Sequence, residues 1–198
     1  HRNIDIVRDK QFKTANGVLD GLLKERGVDF VHAEAITIDT DKQLVRTTKG
    51  DYEYDHLVMA TGPKVDFDVA PGVKEFAYYI GTPDGAMETR KALDAFKENP
   101  GPIVIGATQN AGCMGAAYEF LFNIEKWLRE QKIRKKVDLY WTTPETFLGH
   151  FGIDGIAGGE TMLKSFMKMF NIHYRTEVGI KEVTKDSVIL STGEVLER

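Results

Sequence analysis

Three residues of this 198-residue chain have side chains suited to chemistry and stand where they could use it. Cys113 is the only cysteine. It lies in the run Gly106-Ala107-Thr108-Gln109-Asn110-Ala111-Gly112-Cys113-Met114-Gly115, just ahead of a helical pattern. Partial positive charge at a helix N-terminus favours the thiolate, the nucleophilic form of cysteine. The same position suits a small packed hydrophobe, and the residues alone leave both readings open. Glu119, in Tyr118-Glu119-Phe120, falls early in that helix among apolar neighbours. It could act as a desolvated base, although a solvent-facing helix residue is the simpler reading. His150, in Leu148-Gly149-His150-Phe151-Gly152, sits in a glycine-flanked loop. An imidazole there could carry a proton near neutral pH, or it could be an ordinary hydrogen-bonding surface group.

These three residues need a scaffold, and the hydrophobic pattern supplies one. Ile103-Val104-Ile105 is a strand core that runs into the glycine loop, and Ala117, Phe120, Leu121, Ile124, Trp127 and Leu128 then repeat at the helical period. Residues 137–141 read as a second strand. Strand, loop, helix and strand make a βαβ unit, so the expected class is α/β, a Rossmann-like parallel sheet with a small antiparallel hairpin and meander. Two further helices are expected over 86–96 and 161–170, and a terminal meander over 178–183, 187–190 and 193–196. Upstream, Val18, Leu19, Leu22 and Leu23 form a helical stripe that ends at Gly27. A strand-like run over 28–39 comes next, then a hairpin from 42–48 to 52–54. A short apolar strand over 56–60 stops at Thr61-Gly62-Pro63. The loop 63–72 holds two prolines and marks a domain boundary, giving residues 1–72 and 73–198.

The glycine loop has the outline of a dinucleotide site without its chemistry. Thr108 stands where the fingerprint's second glycine belongs, and the loop is longer than the fingerprint. The next strand runs out through Trp141-Thr142-Thr143-Pro144, a stretch with no acid for a ribose hydroxyl and no arginine for a 2′-phosphate. An active NAD(P) site is therefore not expected.

Composition narrows the classes further. Hydrophobic residues make up 42% and charged residues 28%, as in ordinary globular domains, and the net charge of −4 argues against nucleic acid as a partner. No apolar run approaches the roughly 20 residues that span a bilayer. One cysteine excludes an internal disulfide framework and a cysteine-built zinc site, so no metal is expected. The basic run 132–136 reads as a solvated helix-end turn that could also touch anionic lipid.

Three segments, in order, resemble a known family. Tyr54-Asp55-His56-Leu57-Val58-Met59-Ala60-Thr61-Gly62-Pro63 is similar to a segment widespread in FAD flavoproteins with two dinucleotide-binding domains. Two narrower matches are Pro102-Ile103-Val104-Ile105-Gly106-Ala107 with Ala111-Gly112-Cys113-Met114-Gly115-Ala116-Ala117-Tyr118-Glu119, and Leu148-Gly149-His150-Phe151-Gly152-Ile153-Asp154-Gly155. Both resemble sulfide:quinone oxidoreductases of the disulfide-reductase superfamily. The resemblance implies FAD-dependent oxidation of sulfide or polysulfide with electron transfer to a membrane quinone. It implies that Cys113 is a redox cysteine, with Glu119 and His150 as polar residues near the reacting sulfur. FAD contacts would fall at Ala35, Ala60, Thr61 and Gly62. The second nucleotide-type domain would not use NAD(P)H.

On this resemblance the chain is the central piece of a longer peripheral membrane protein and is inactive alone. Its pyrophosphate loop, quinone site, third redox cysteine and membrane-contacting tail would lie outside these residues. Gly81 stands where many members place another cysteine, and the Pro83-Asp84-Gly85-Ala86 stretch replaces a usual histidine, implying two redox cysteines rather than three. Homo-oligomerisation stays open. Other readings of the same residues are a type II NADH dehydrogenase, a flavocytochrome c sulfide dehydrogenase, or a non-catalytic Rossmann-like binding domain.

Overall fold

The computed structural model describes residues 23–62 and 65–198. The chain divides into two compact units, residues 2–65 and 66–198.

The first unit carries an antiparallel sheet of three strands, β1 (Ala35–Asp39), β2 (Leu44–Thr47) and β3 (Gly50–Glu53), in sequential order. Thr47 sits opposite Gly50, so Thr48-Lys49 is a two-residue hairpin turn. The Thr47 hydroxyl donates to the Gly50 carbonyl at 2.8 Å and fixes that turn. Two sequence expectations are corrected here. Strand structure begins only at Ala35, because residues 28–34 find no ladder. Residues 56–60 form no strand, and Val58 and Met59 are 86% and 72% exposed. An apolar run becomes a buried parallel strand only when neighbours flank it, and this sheet ends its pairing at Glu53. Of the expected upstream helix, Leu23 to Glu25 are helical, whereas Val18, Leu19 and Leu22 lie outside the described residues.

The second unit begins with a short helix, α1 (Val73–Phe76), and then α2 (Pro83–Phe96). The expected start at 86 comes a turn late. Thr82 caps the helix by accepting the Gly85 N–H at 3.2 Å, and Pro83 takes the first position, where its missing N–H costs nothing. Then come β4 (Ile103–Gly106), α3 (Gly115–Glu130), β5 (Leu139–Thr142), α4 (Gly159–Met169) and β6 (Ile172–Arg175). The three strands are parallel in the order β4-β5-β6, joined by α3 and α4. The sheet is thus one strand wider than the pattern predicted. Four residues directly after a helix carry too short an alternation to read as a strand. Three strands close the chain as an antiparallel meander, β7 (Ile180–Val183), β8 (Ser187–Leu190) and β9 (Val195–Glu197).

Two cores hold this unit. The larger lies between the parallel sheet and its crossover helices, with Leu121, Leu128, Leu139, Trp141 and Leu148 fully buried. The smaller lies under the meander, where Val178, Val183, Val188, Leu190 and Leu196 pack with Ala70 and Val73. The segment ahead of α1 is thereby part of the meander's core. Arg175 ties the end of β6 to the hairpin ahead of β9, donating to both Glu194 oxygens at 2.8 and 2.7 Å.

The basic run is only partly solvated, which corrects the sequence reading. Lys132, Lys135 and Lys136 are exposed, but Arg134 folds inward. Its guanidinium donates to the carbonyls of Val137, Phe170 and Asn171, each at 2.7 Å, and so closes the end of the chain after α4. Buried Glu125, bonded twice by Arg129, lies 3.9 Å from Arg134.

Candidate active site

In open parallel sheets, ligand sites form beyond the carboxyl ends of the strands. Here β4 and β5 deliver two loops to that end, 107–114 and 143–158. They meet at a shallow cleft of about 200 Å³ lined by Gly112, Met114, Pro144, Glu145, His150 and Phe151.

Each glycine of the first loop has its own physical reason. A Cβ at Gly106 would collide with Thr142, its partner on β5, so this glycine is demanded by strand packing. A Cβ at Gly112 or Gly115 would meet nothing within 4 Å. Those two leave bare backbone open on either side of Cys113. The loop between is anchored by Gln109, whose amide donates to the carbonyls of Val69 and Ile180 and accepts the Ile180 N–H at 2.9 Å. In this unit that part of the loop is bonded to the meander strand β7 and the segment before α1.

Cys113 is exposed. It stands directly before Met114, the residue that precedes the first turn of α3, and no side chain caps that helix end. The first-turn N–H groups are thus left without a side-chain acceptor beside the thiol. Glu119 is exposed, on the opposite side of α3 from the buried Tyr118 and Leu121 faces, and does not line the cleft. His150 lines the cleft with its side chain 27% exposed. Its Nδ1 accepts the Gly152 N–H at 3.1 Å, so the ring proton sits on Nε2, which faces Asp154 at 3.3 Å. Phe147 packs edge-on against the ring at 5.2 Å. The structure therefore brings His150 and the residues flanking Cys113 to one cleft and leaves Glu119 outside it.

Sequence reading passed over Glu145, which comes after Pro144 just past the point where an acid was sought. Its side chain is buried. One oxygen accepts the Phe151 N–H at 2.8 Å; the other accepts the hydroxyls of Tyr118 and Thr143 at 2.8 and 2.9 Å. The legible signal was a lone acid between the buried end of a strand and an apolar loop. Burial, then the hydrogen bond to Glu145, pushes the Tyr118 phenol well above the ordinary tyrosine range. Unfolded chain ionises Tyr118 near its usual value of about 10, whereas folded chain does not, so stability is fully present below that pH and falls as pH rises beyond it. Thermal melting between pH 8 and 11 should show this decline, and Tyr118→Phe should flatten its upper part.

Gly81 also acquires a neighbour: a side chain there would run into the ring and hydroxyl of Tyr79. In the first unit, Ala35 opens β1, and Ala35, Ala60, Thr61 and Gly62 are all exposed. Gly62 holds φ at +76°, a conformation that favours glycine, with open space where a Cβ would point. No helix among the described residues is long and apolar enough to cross a membrane.

No protein-family model matches the chain. A sulfide-quinone reductase of Aquifex aeolicus is 38% identical over 181 residues, which cover 91% of this chain and 42% of that protein. The X-ray structure of the sulfide:quinone oxidoreductase from Aquifex aeolicus matches with a TM-score of 0.79 at 37% identity, over 89% of this chain and 42% of the other. An NADH dehydrogenase-like protein of Mycobacterium tuberculosis is 29% identical over 186 residues, 90% of this chain and 45% of that protein. The chain thus spans less than half the length of the relatives it matches. Sequence and backbone agree over nearly the whole chain, and by both it is similar to a stretch of the sulfide:quinone oxidoreductase of Aquifex aeolicus.

Proposed function

We propose that these residues serve an FAD-dependent oxidoreductase that oxidises sulfide and reduces a quinone. The overall balance is hydrosulfide, quinone and one proton giving sulfane sulfur and quinol. The observation that carries this reading is the placement of Cys113: an exposed thiol, ahead of an uncapped helix, between two glycines with open space, beside the cleft that His150 lines. An accessible thiol at such a place can attack or hold sulfur, which a packed cysteine cannot.

The flavin, when bound, supplies the two-electron acceptor for cysteine-bound sulfur. Residues up to the 65–72 segment belong to its binding half, with Ala35, Ala60, Thr61 and Gly62 as contacts; exposed small residues and the open, left-handed Gly62 suit close approach of a cofactor. Cys113 holds the sulfur. His150, with its proton on Nε2, is placed to exchange it at the cleft. The whole protein meets its quinone at a membrane surface as a peripheral protein.

The NADH dehydrogenase reading is the weaker one. Gln109 bonds the glycine loop to neighbouring backbone, and the acid past β5, Glu145, is already engaged by three donors. Alkylation tests the site in this chain. Iodoacetamide should modify Cys113 in folded chain at nearly the rate found in urea, within about threefold. A thiol that reacts only after unfolding would contradict the proposal.

A further inference from the structure

We propose that Glu145 is a positioning residue for His150, holding the backbone on both sides of the imidazole through hydrogen bonds that converge on its carboxylate. The inference rests on the reading of His150 as a proton carrier beside Cys113.

A buried carboxylate normally has a cation beside it, because removing the charge from water is costly. Each hydrogen bond the Glu145 side chain accepts comes instead from a neutral donor: Tyr118, Thr143 and the Phe151 N–H. The pattern of those donors points to the role. The Phe151 N–H, one residue after His150, goes directly to Glu145 at 2.8 Å. The Gly149 N–H, one residue before it, goes to the Tyr118 hydroxyl at 3.1 Å, and that hydroxyl donates to Glu145 at 2.8 Å. The two peptide N–H groups that flank the histidine thus end on one carboxylate.

The loop backbone requires such tethers. Gly149 and Phe151 both have positive φ, 81° and 54°, and a phenylalanine in the left-handed region is held there only when its surroundings insist. That backbone in turn delivers the Gly152 N–H to Nδ1, the contact that places the ring proton on Nε2. Release of the flanking N–H groups therefore frees the ring's tautomer as well as its direction.

The test reads the ring itself. In ¹⁵N-labelled chain, long-range proton–nitrogen correlation should show His150 as a single Nε2–H tautomer, assigned by its loss in His150→Asn. Glu145→Ala should give mixed tautomers. Glu145→Gln keeps one oxygen for the Phe151 N–H but turns N–H donors toward Tyr118, so its ring signals should shift in the same direction by less. In the full-length, flavin-loaded protein, Glu145→Gln should lower kcat for sulfide oxidation about tenfold with little change in KM. A folded Glu145→Gln with wild-type ring signals overturns the proposal, even if Glu145→Ala fails to fold. Shifted ring signals in a full-length protein whose wild type oxidises no sulfide would instead uphold the positioning role and sink the functional reading.

Discussion

In the full-length protein, Cys113→Ser is expected to cut sulfide-dependent reduction of the bound flavin by about a hundredfold or more, with flavin content unchanged. Serine keeps the shape but is far less acidic and cannot form a sulfur–sulfur bond, so any step that stores sulfur at residue 113 stops. Because the thiol is exposed and outside both cores, the substitution should leave melting temperature within a degree or two. That separation is what makes the result informative: lost chemistry with intact fold. Stopped-flow bleaching of flavin absorbance under sulfide measures it, and a variant that keeps more than about a tenth of the rate removes the thiol from the mechanism. His150→Asn in the same assay should lie between the two.

Trp141→Ala should destabilise the second unit by about 3–5 kcal/mol, the usual range for emptying a large aromatic site in a core. Trp141 is fully buried on the middle strand of the parallel sheet, and its ring lies 4.3 Å from that of Tyr118. Helix α3 therefore loses the Tyr118–Trp141 ring contact at the turn that also presents the Tyr118 hydroxyl to Glu145 and Gly149. Since a domain of this size is stable by only about 5–15 kcal/mol, much of the margin goes. Trp141→Phe keeps an aromatic partner for Tyr118 and should cost well under half as much. Urea denaturation followed by far-UV circular dichroism distinguishes the two; equal midpoints would mean that the tilted aromatic pair contributes little.

Much of the second unit is legible in the sequence alone. Apolar residues at the helical period placed α3 and α4, because both helices bury one stripe against a sheet. The run Ile103-Val104-Ile105 placed β4, and three short apolar segments separated by turn residues placed the meander. The failures have common physical roots. Residues 56–60 have a strand's composition but no neighbouring strand, and composition cannot report whether a partner is present. β6, Ile172-His173-Tyr174-Arg175, follows α4 after two residues and holds a single aliphatic side chain, so no apolar run marks it. Arg134 read as one of several solvated cations because its three carbonyl partners lie partly on a segment some 36 residues away.

By itself, the sequence determined that the chain is α/β, that it carries a parallel βαβ unit with a degenerate glycine loop, and that one thiol stands before a helix. These are local properties: periodicity, turn residues and spacing along the backbone. Only tertiary structure decided that His150 shares a cleft with the Cys113 loop, that Glu119 stays outside it, and that Glu145 rather than Glu119 is the buried acid. Those facts depend on which distant segments a strand end and a loop bring into contact. Burial and hydrogen bonding are set by neighbours in space, and no pattern along the chain carries that information.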